Sequence, residues 1–139
     1  MKDYKFVYNN KEYVLGEENC NCLINDEEHP VIGIEGENII ELLCQQEMAD
    51  FDIDYYDQPC QNCFDREKEK NKYFKFLGYH FFIYTKEGKY VISDISKEYE
   101  GLTFSKLLKQ GVVDNSYIVN LIVCFECGDY SIEIEECEV

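Results

Sequence analysis

Hydrophobic and polar positions alternate with a period of two in three pairs of short segments, and turn residues join the members of each pair. Tyr4 to Tyr8 and Glu12 to Leu15 flank Asn9-Asn10-Lys11, which tolerates positive φ, so the spacing predicts a hairpin. Tyr79 to Thr85 and Lys89 to Ser96 flank Lys86-Glu87-Gly88 and predict a second. Ser116 to Cys124, rich in Val and Ile, is followed by Asp129 to Cys137, where Tyr130, Ile132 and Ile134 alternate with Ser131, Glu133 and Glu135. This third hairpin carries Phe125-Glu126-Cys127-Gly128 at its tip.

Between the hairpins the period changes. Ile39, Ile40, Leu42, Leu43 and Met48 share one helix face, so a helix runs from about Asn38 to Met48. Val31 to Ile34 reads as a short strand after His29-Pro30. Ala49 to Gln58 is acidic with no clear period and reads as a loop. The stretch from Phe64 to Gly78 has strong helix formers, opposite charges at helical spacing and a terminal glycine, and predicts a second helix. Thr103 to Gln110, capped by Thr103 and stopped by Gly111, predicts a third. The sum is a single domain over residues 1–139 of α+β class: antiparallel β-hairpins with two or three short helices, and a CxxC pair at the tip of the C-terminal hairpin.

Composition supports a folded chain. Twelve Tyr and nine Phe in 139 residues are too many aromatics for a disordered acidic protein. No segment approaches the ~18 consecutive apolar residues of a membrane span, and the first residues lack the apolar run of a secretory signal, so the expected location is cytoplasmic. The net charge of -16, with Arg66 the single arginine, disfavours direct contact with nucleic-acid phosphates. It suits a basic protein partner, mainly through faster encounter. Arg66, Lys68, Lys70, Lys72 and Lys75 are interleaved with Glu67 and Glu69 and read as a solvated helix face.

The eight cysteines carry the chemistry. In a reducing compartment they are metal ligands, redox thiols or core residues rather than a disulfide framework. Cys124 and Cys127 lie two residues apart beside Gly128, as two thiolates facing one tetrahedral zinc at about 2.3 Å would need. Cys60 and Cys63 form the other pair of the same spacing. Together they predict a structural zinc site of four thiolates, which leaves no open position for catalysis. Sixty residues (64–123) separate the pairs, against ~15 to 20 in a zinc ribbon. The intervening chain must then belong to the main body, and the metal clips two distant loops.

Two alternatives stand beside this reading. Pro59-Cys60-Gln61-Asn62-Cys63 before a helix is similar to the active-site turn of thioredoxin-like proteins, although Asp57 and Asp65 oppose a stable thiolate and no βαβ rhythm is present. The strong negative charge also suits an acidic mimic of nucleic acid that occupies a basic cleft. Cys20 and Cys22 are spaced too closely for a knuckle but could join a second site with His29. Cys44 reads as a buried helix residue, Cys137 as a strand residue, and His80 as a core or edge histidine of a strand. Asp50, Asp52, Asp54 and Asp57 lack the glycine and terminal glutamate of a calcium-binding loop and read as solvated. The C-terminal strand reads as an exposed edge guarded by Glu133, Glu135 and Glu136, which leaves the oligomeric state open.

Around Cys124-Phe125-Glu126-Cys127-Gly128 the sequence resembles the knuckle of a zinc-ribbon hairpin. As a whole, in its cysteine pairs, length and tyrosine-rich acidic composition, it resembles the short acidic proteins of low-GC bacteria grouped as domains of unknown function. That resemblance implies no activity.

Overall fold

Asn9 and Asn10 both adopt positive φ, 51° and 65°, the conformation a two-residue turn needs to match the twist of its flanking strands. In the computed structural model Tyr4–Tyr8 (β1) and Lys11–Leu15 (β2) accordingly pair antiparallel as a two-stranded sheet. The structure describes residues 3–45, 51–56, 74–99 and 101–137, with only the backbone of Tyr56 and Phe74. Along this chain follow β3 (Cys20–Ile24), α1 (Gly36–Cys44), β4 (Asp52–Tyr56), β5 (Phe74–Lys86), β6 (Lys89–Ser93), α2 (Phe104–Lys109), β7 (Asn115–Cys124) and β8 (Tyr130–Glu136).

These strands build a six-stranded sheet in the order β3-β8-β7-β5-β4, with β6 also on β5. All pairs are antiparallel except β3 with β8. β5 is long enough, at 13 residues, to hold β4 beside its first half and β6 beside its last. Glu87 and Gly88, at φ 53° and 80°, make the β5–β6 turn. One sheet face is the core: Leu77, Phe81 and Ile83 of β5, Tyr117, Val119, Leu121 and Val123 of β7, and Tyr130, Ile132 and Ile134 of β8. The register sets these residues side by side on every strand. The apolar stripe of α1 (Ile39, Ile40, Leu42, Leu43) and Tyr4, Tyr13 and Leu15 of the hairpin belong to the same buried cluster. Phe6 stacks on Tyr13 and on Phe51, with centroids 5.2 and 4.1 Å apart.

The α+β expectation is corrected to a mostly β fold: 49% of the described residues are in strands and 16% in helices. Asp52–Tyr56 is a strand, not a loop. Its alternation was masked because one side of the strand is acidic, with Asp52 and Asp54 exposed around half-buried Ile53. Phe74–Gly78 is the start of β5, not the end of a helix, because pairing with both β4 and β7 outweighs the local preference of the sequence. Gly78 does not cap a helix; a Cβ there would meet Asp54 Oδ2 at 2.5 Å, so the carboxylate of β4 occupies the space a side chain would fill. The helix predicted over residues 64–73 lies outside the described residues. Val31 to Ile34 reduces to one bridge between Ile32 and Lys89. β8 is covered by β3 and is no edge. Cys44 closes α1 but is exposed.

Beyond β6, Asp94 continues the pairing on β5: its Oδ1 accepts from Phe82 N at 3.0 Å and its own N–H donates to Phe82 O at 3.2 Å. Burial raises the Asp94 carboxyl above the usual aspartate range, against these hydrogen bonds and the field of His80. A raised folded pKa means the neutral carboxyl is the form the fold favours: its contribution is fully kept below the ordinary aspartate range and is lost as pH rises through the raised pKa and the buried group becomes charged. Asp94→Asn keeps the acceptor and removes the charge. The variant is expected to exceed the parent in urea midpoint at pH 7, with the gain shrinking to nothing as pH falls below the ordinary aspartate pKa.

Candidate metal centre

β7 ends on Cys124, residues 125–127 turn, and Gly128 at φ 81° leads toward β8. Glycine fits there because the left-handed region costs it nothing, and Tyr13 Cδ1 lies 3.7 Å from where a Cβ would stand. Cys124 N–H donates to Asp129 O at 2.8 Å and Gly128 N–H to Cys124 O at 3.1 Å, closing the turn. Cys124 is buried and Cys127 exposed. The pair expected to sit together at a hairpin tip is therefore divided: Cys124 is the last strand residue, in register with Phe76, and only Cys127 belongs to the turn.

The N-terminal hairpin holds this turn from outside. Tyr13 Oη donates to Phe125 O at 2.6 Å, and Lys11 Nζ donates to the same carbonyl at 3.2 Å and to Glu126 O. Tyr8 meets the Phe125 ring edge-on at 6.4 Å, and Lys75 Nζ stands 5.3 Å from its centroid. Asn19 Nδ2 reaches Gly128 O at 3.1 Å and Val14 O at 2.6 Å, and Asn19 Oδ1 accepts from Gly16 N at 2.9 Å. Burial raises the Tyr13 hydroxyl above its usual range, with Cys124 and Tyr8 adding to it, so it remains a neutral donor. The sequence announces none of this support: Lys75, read as part of a solvated helix face, lies in β5 beside the Phe125 ring. Lys11 reads as a turn residue, and Asn19 follows no pattern.

Cys60 and Cys63 lie outside the described residues. Their flanks are visible. β4 ends at Tyr56 in register with Phe74, where β5 begins, and two residues further along β5 Phe76 is in register with Cys124. Phe125 N–H also donates to Lys75 O at 3.4 Å. β4 therefore ends, and β5 begins, at the end of the sheet where the Cys124–Cys127 turn stands.

The other cysteines divide. A register shift separates Cys20 from Cys22, so that Cys20 aligns with the core residue Tyr130, and Cys22 with Ser131 on the opposite face. Burial pushes the Cys20 thiol up, which makes it a poor thiolate. His29 is 3.3 Å from Glu136 through Nδ1. Among the described residues, no group of three or more His, Cys, Asp or Glu side chains forms a metal cluster, so the second site imagined for Cys20, Cys22 and His29 is not assembled.

The model of one protein family, described as "Protein of unknown function (DUF3785)", matches residues 4–139. The chain belongs to that family. No curated protein and no solved structure matches the chain. Membership therefore covers both cysteine pairs and the whole described sheet without attaching an activity to any of them. No described helix is long and apolar enough to cross a membrane.

Proposed function

We propose that this family member is a non-enzymatic module of the reducing cytoplasm, stapled by one structural zinc on Cys60, Cys63, Cys124 and Cys127, that binds a basic protein partner. The observation that carries the metal reading is the placement of the flanks of residues 57–73 beside Cys124. Two strand spacings, about 10 Å, separate β4 from β7. The four residues from Tyr56 to Cys60 span up to about 13 Å when extended, so the second cysteine pair is within reach of the first despite the sixty residues between Cys63 and Cys124. Cys124 and Cys127 supply two ligands, and the structural tetrahedral site needs two more.

Four thiolates fill the coordination shell, so the metal would supply rigidity and no reactive water. A clip closing so long a loop removes entropy from the unfolded chain. The redox reading draws no support from the fold. The strand that leads toward Cys60 runs antiparallel to its neighbour β5, whereas the thioredoxin-like motif belongs to a βαβ unit with parallel strands. Metal analysis of the purified chain and of its serine variants tests the proposal. Cys60→Ser, Cys63→Ser and Cys127→Ser should each lose the zinc, and Cys22→Ser should retain it. Retention of zinc by the first three, or its loss only from Cys22→Ser, would count against this ligand set.

A further inference from the structure

The described strands that stand at a sheet edge differ in one respect. β1 carries Lys5, β2 carries Lys11 and Glu12, β4 carries Asp52 and Asp54, and β6 carries Lys89. Charges within an edge strand discourage a further strand from pairing there. The start of β6 is also bridged to Ile32. β3 reads Cys20-Asn21-Cys22-Leu23-Ile24 and holds neither a charge nor a proline. Among the described residues, β8 is the one strand paired with it. Cys22 is exposed, and Ile24 is 50% exposed.

The chain on either side of β3 is acidic. Glu17 and Glu18 precede it and, with Asp3, line a cavity of about 430 Å³. Asp26, Glu27 and Glu28 follow it and, with Glu133 and Glu135 of β8, line another of about 410 Å³. Glu17, Glu18, Glu27 and Glu28 are all exposed. An uncharged edge of about 17 Å is thus bracketed by carboxylates at both ends. A second copy does not suit it. Whether two copies paired parallel or antiparallel, carboxylates would meet carboxylates at each end.

We propose that β3 takes an extended segment of the basic partner as a seventh strand of the six-stranded sheet, uncharged along β3 and carrying Lys or Arg at each end. This rests on the reading of the chain as a binder of a basic protein and not on its metal. Main-chain hydrogen bonds to the edge hold the segment, and its apolar side chains lie beside Cys22 and Ile24. Its terminal cations meet Glu17 and Glu18 at one end and Glu27 and Glu28 at the other, which fixes register and excludes acidic competitors.

The test uses the full chain and a labelled peptide of two lysines, five alternating valines and threonines, and two more lysines. The control is the same peptide N-methylated along its central residues, which keeps the charge and side chains but cannot donate to a ladder. Anisotropy is read at ~0.15 M salt, where the Debye length is about 8 Å. Methylation is expected to weaken binding at least about tenfold. Cys22→Lys should weaken the unmethylated peptide about tenfold, while Val7→Lys, at a position 68% exposed on β1, adds the same charge and should not. Glu17→Gln with Glu18→Gln, and Glu27→Gln with Glu28→Gln, should each cost about fivefold, and they probe the same edge if Cys22→Lys does not fold. Equal affinity for the two peptides would overturn strand docking and leave the basic-partner reading standing on charge alone. Dissociation constants above about 1 mM for both peptides would overturn the two together. A chain that sediments as a dimer, dissociated by Cys22→Lys, would overturn the proposal in favour of a second copy on this edge.

Discussion

Cys127→Ser should lower the thermal unfolding midpoint by about 10 °C or more and release the zinc, although the residue it replaces is exposed. An exposed thiol in a turn buries little surface, and its change to a hydroxyl in the absence of metal would shift stability by no more than about 0.5 kcal/mol. A ligand present at a thousand times its dissociation constant contributes about 4 kcal/mol to the folded state, and that contribution disappears with the fourth thiolate. Cys22→Ser provides the contrast, since Cys22 is also exposed but stands on β3 in register with Ser131. Its midpoint should match that of the parent. Treating the parent with a strong chelator should reproduce the Cys127→Ser melting curve and leave the variant's own curve unmoved.

The second large effect is expected at Asn19. Its side chain ties the end of β2, the β2–β3 turn and the turn after Cys127 together through Val14 O, Gly16 N and Gly128 O. Its backbone carbonyl also accepts from Tyr130 N at 3.1 Å. Asn19→Ala removes three side-chain hydrogen bonds at once and leaves their partners unmatched in a half-buried setting, which costs about 3 kcal/mol. Urea unfolding should show a lower midpoint with an unchanged slope. Asn19→Asp retains the acceptor for Gly16 N but sets a carboxylate oxygen against the carbonyls of Val14 and Gly128, so its midpoint should fall at least as far as that of Asn19→Ala. A loss below about 0.5 kcal/mol for Asn19→Ala would mean that the two turns are held by other contacts.

The hairpins were legible because their signals are local. Asn9-Asn10 and Glu87-Gly88 state their turns through positive φ, and the alternation of Tyr130, Ile132 and Ile134 announces a half-buried strand. Thr103 was read correctly as a cap: its side chain accepts from Lys106 N. What failed was non-local. Phe74–Gly78 carried helix chemistry from its charged neighbours, and only pairing with β4 and β7 makes it a strand. β8 read as an edge because nothing in Cys20–Ile24 announces a parallel partner across more than a hundred residues.

The candidate site was legible to a different degree. Spacing named the cysteines, but it could not separate Cys124, fixed in a strand, from Cys127, exposed in a turn. Nor could it anticipate Lys11 and Tyr13 reaching the carbonyl of Phe125, because such contacts depend on where the N-terminal hairpin lands.

Metal content per chain on protein purified without chelator, with a thiol count under denaturing conditions, tests the zinc clip without relying on any variant. About one zinc per chain with all eight cysteines reduced is the expected result. No metal, with two thiols missing from the count, would contradict it and assign Cys60 and Cys63 to redox chemistry instead.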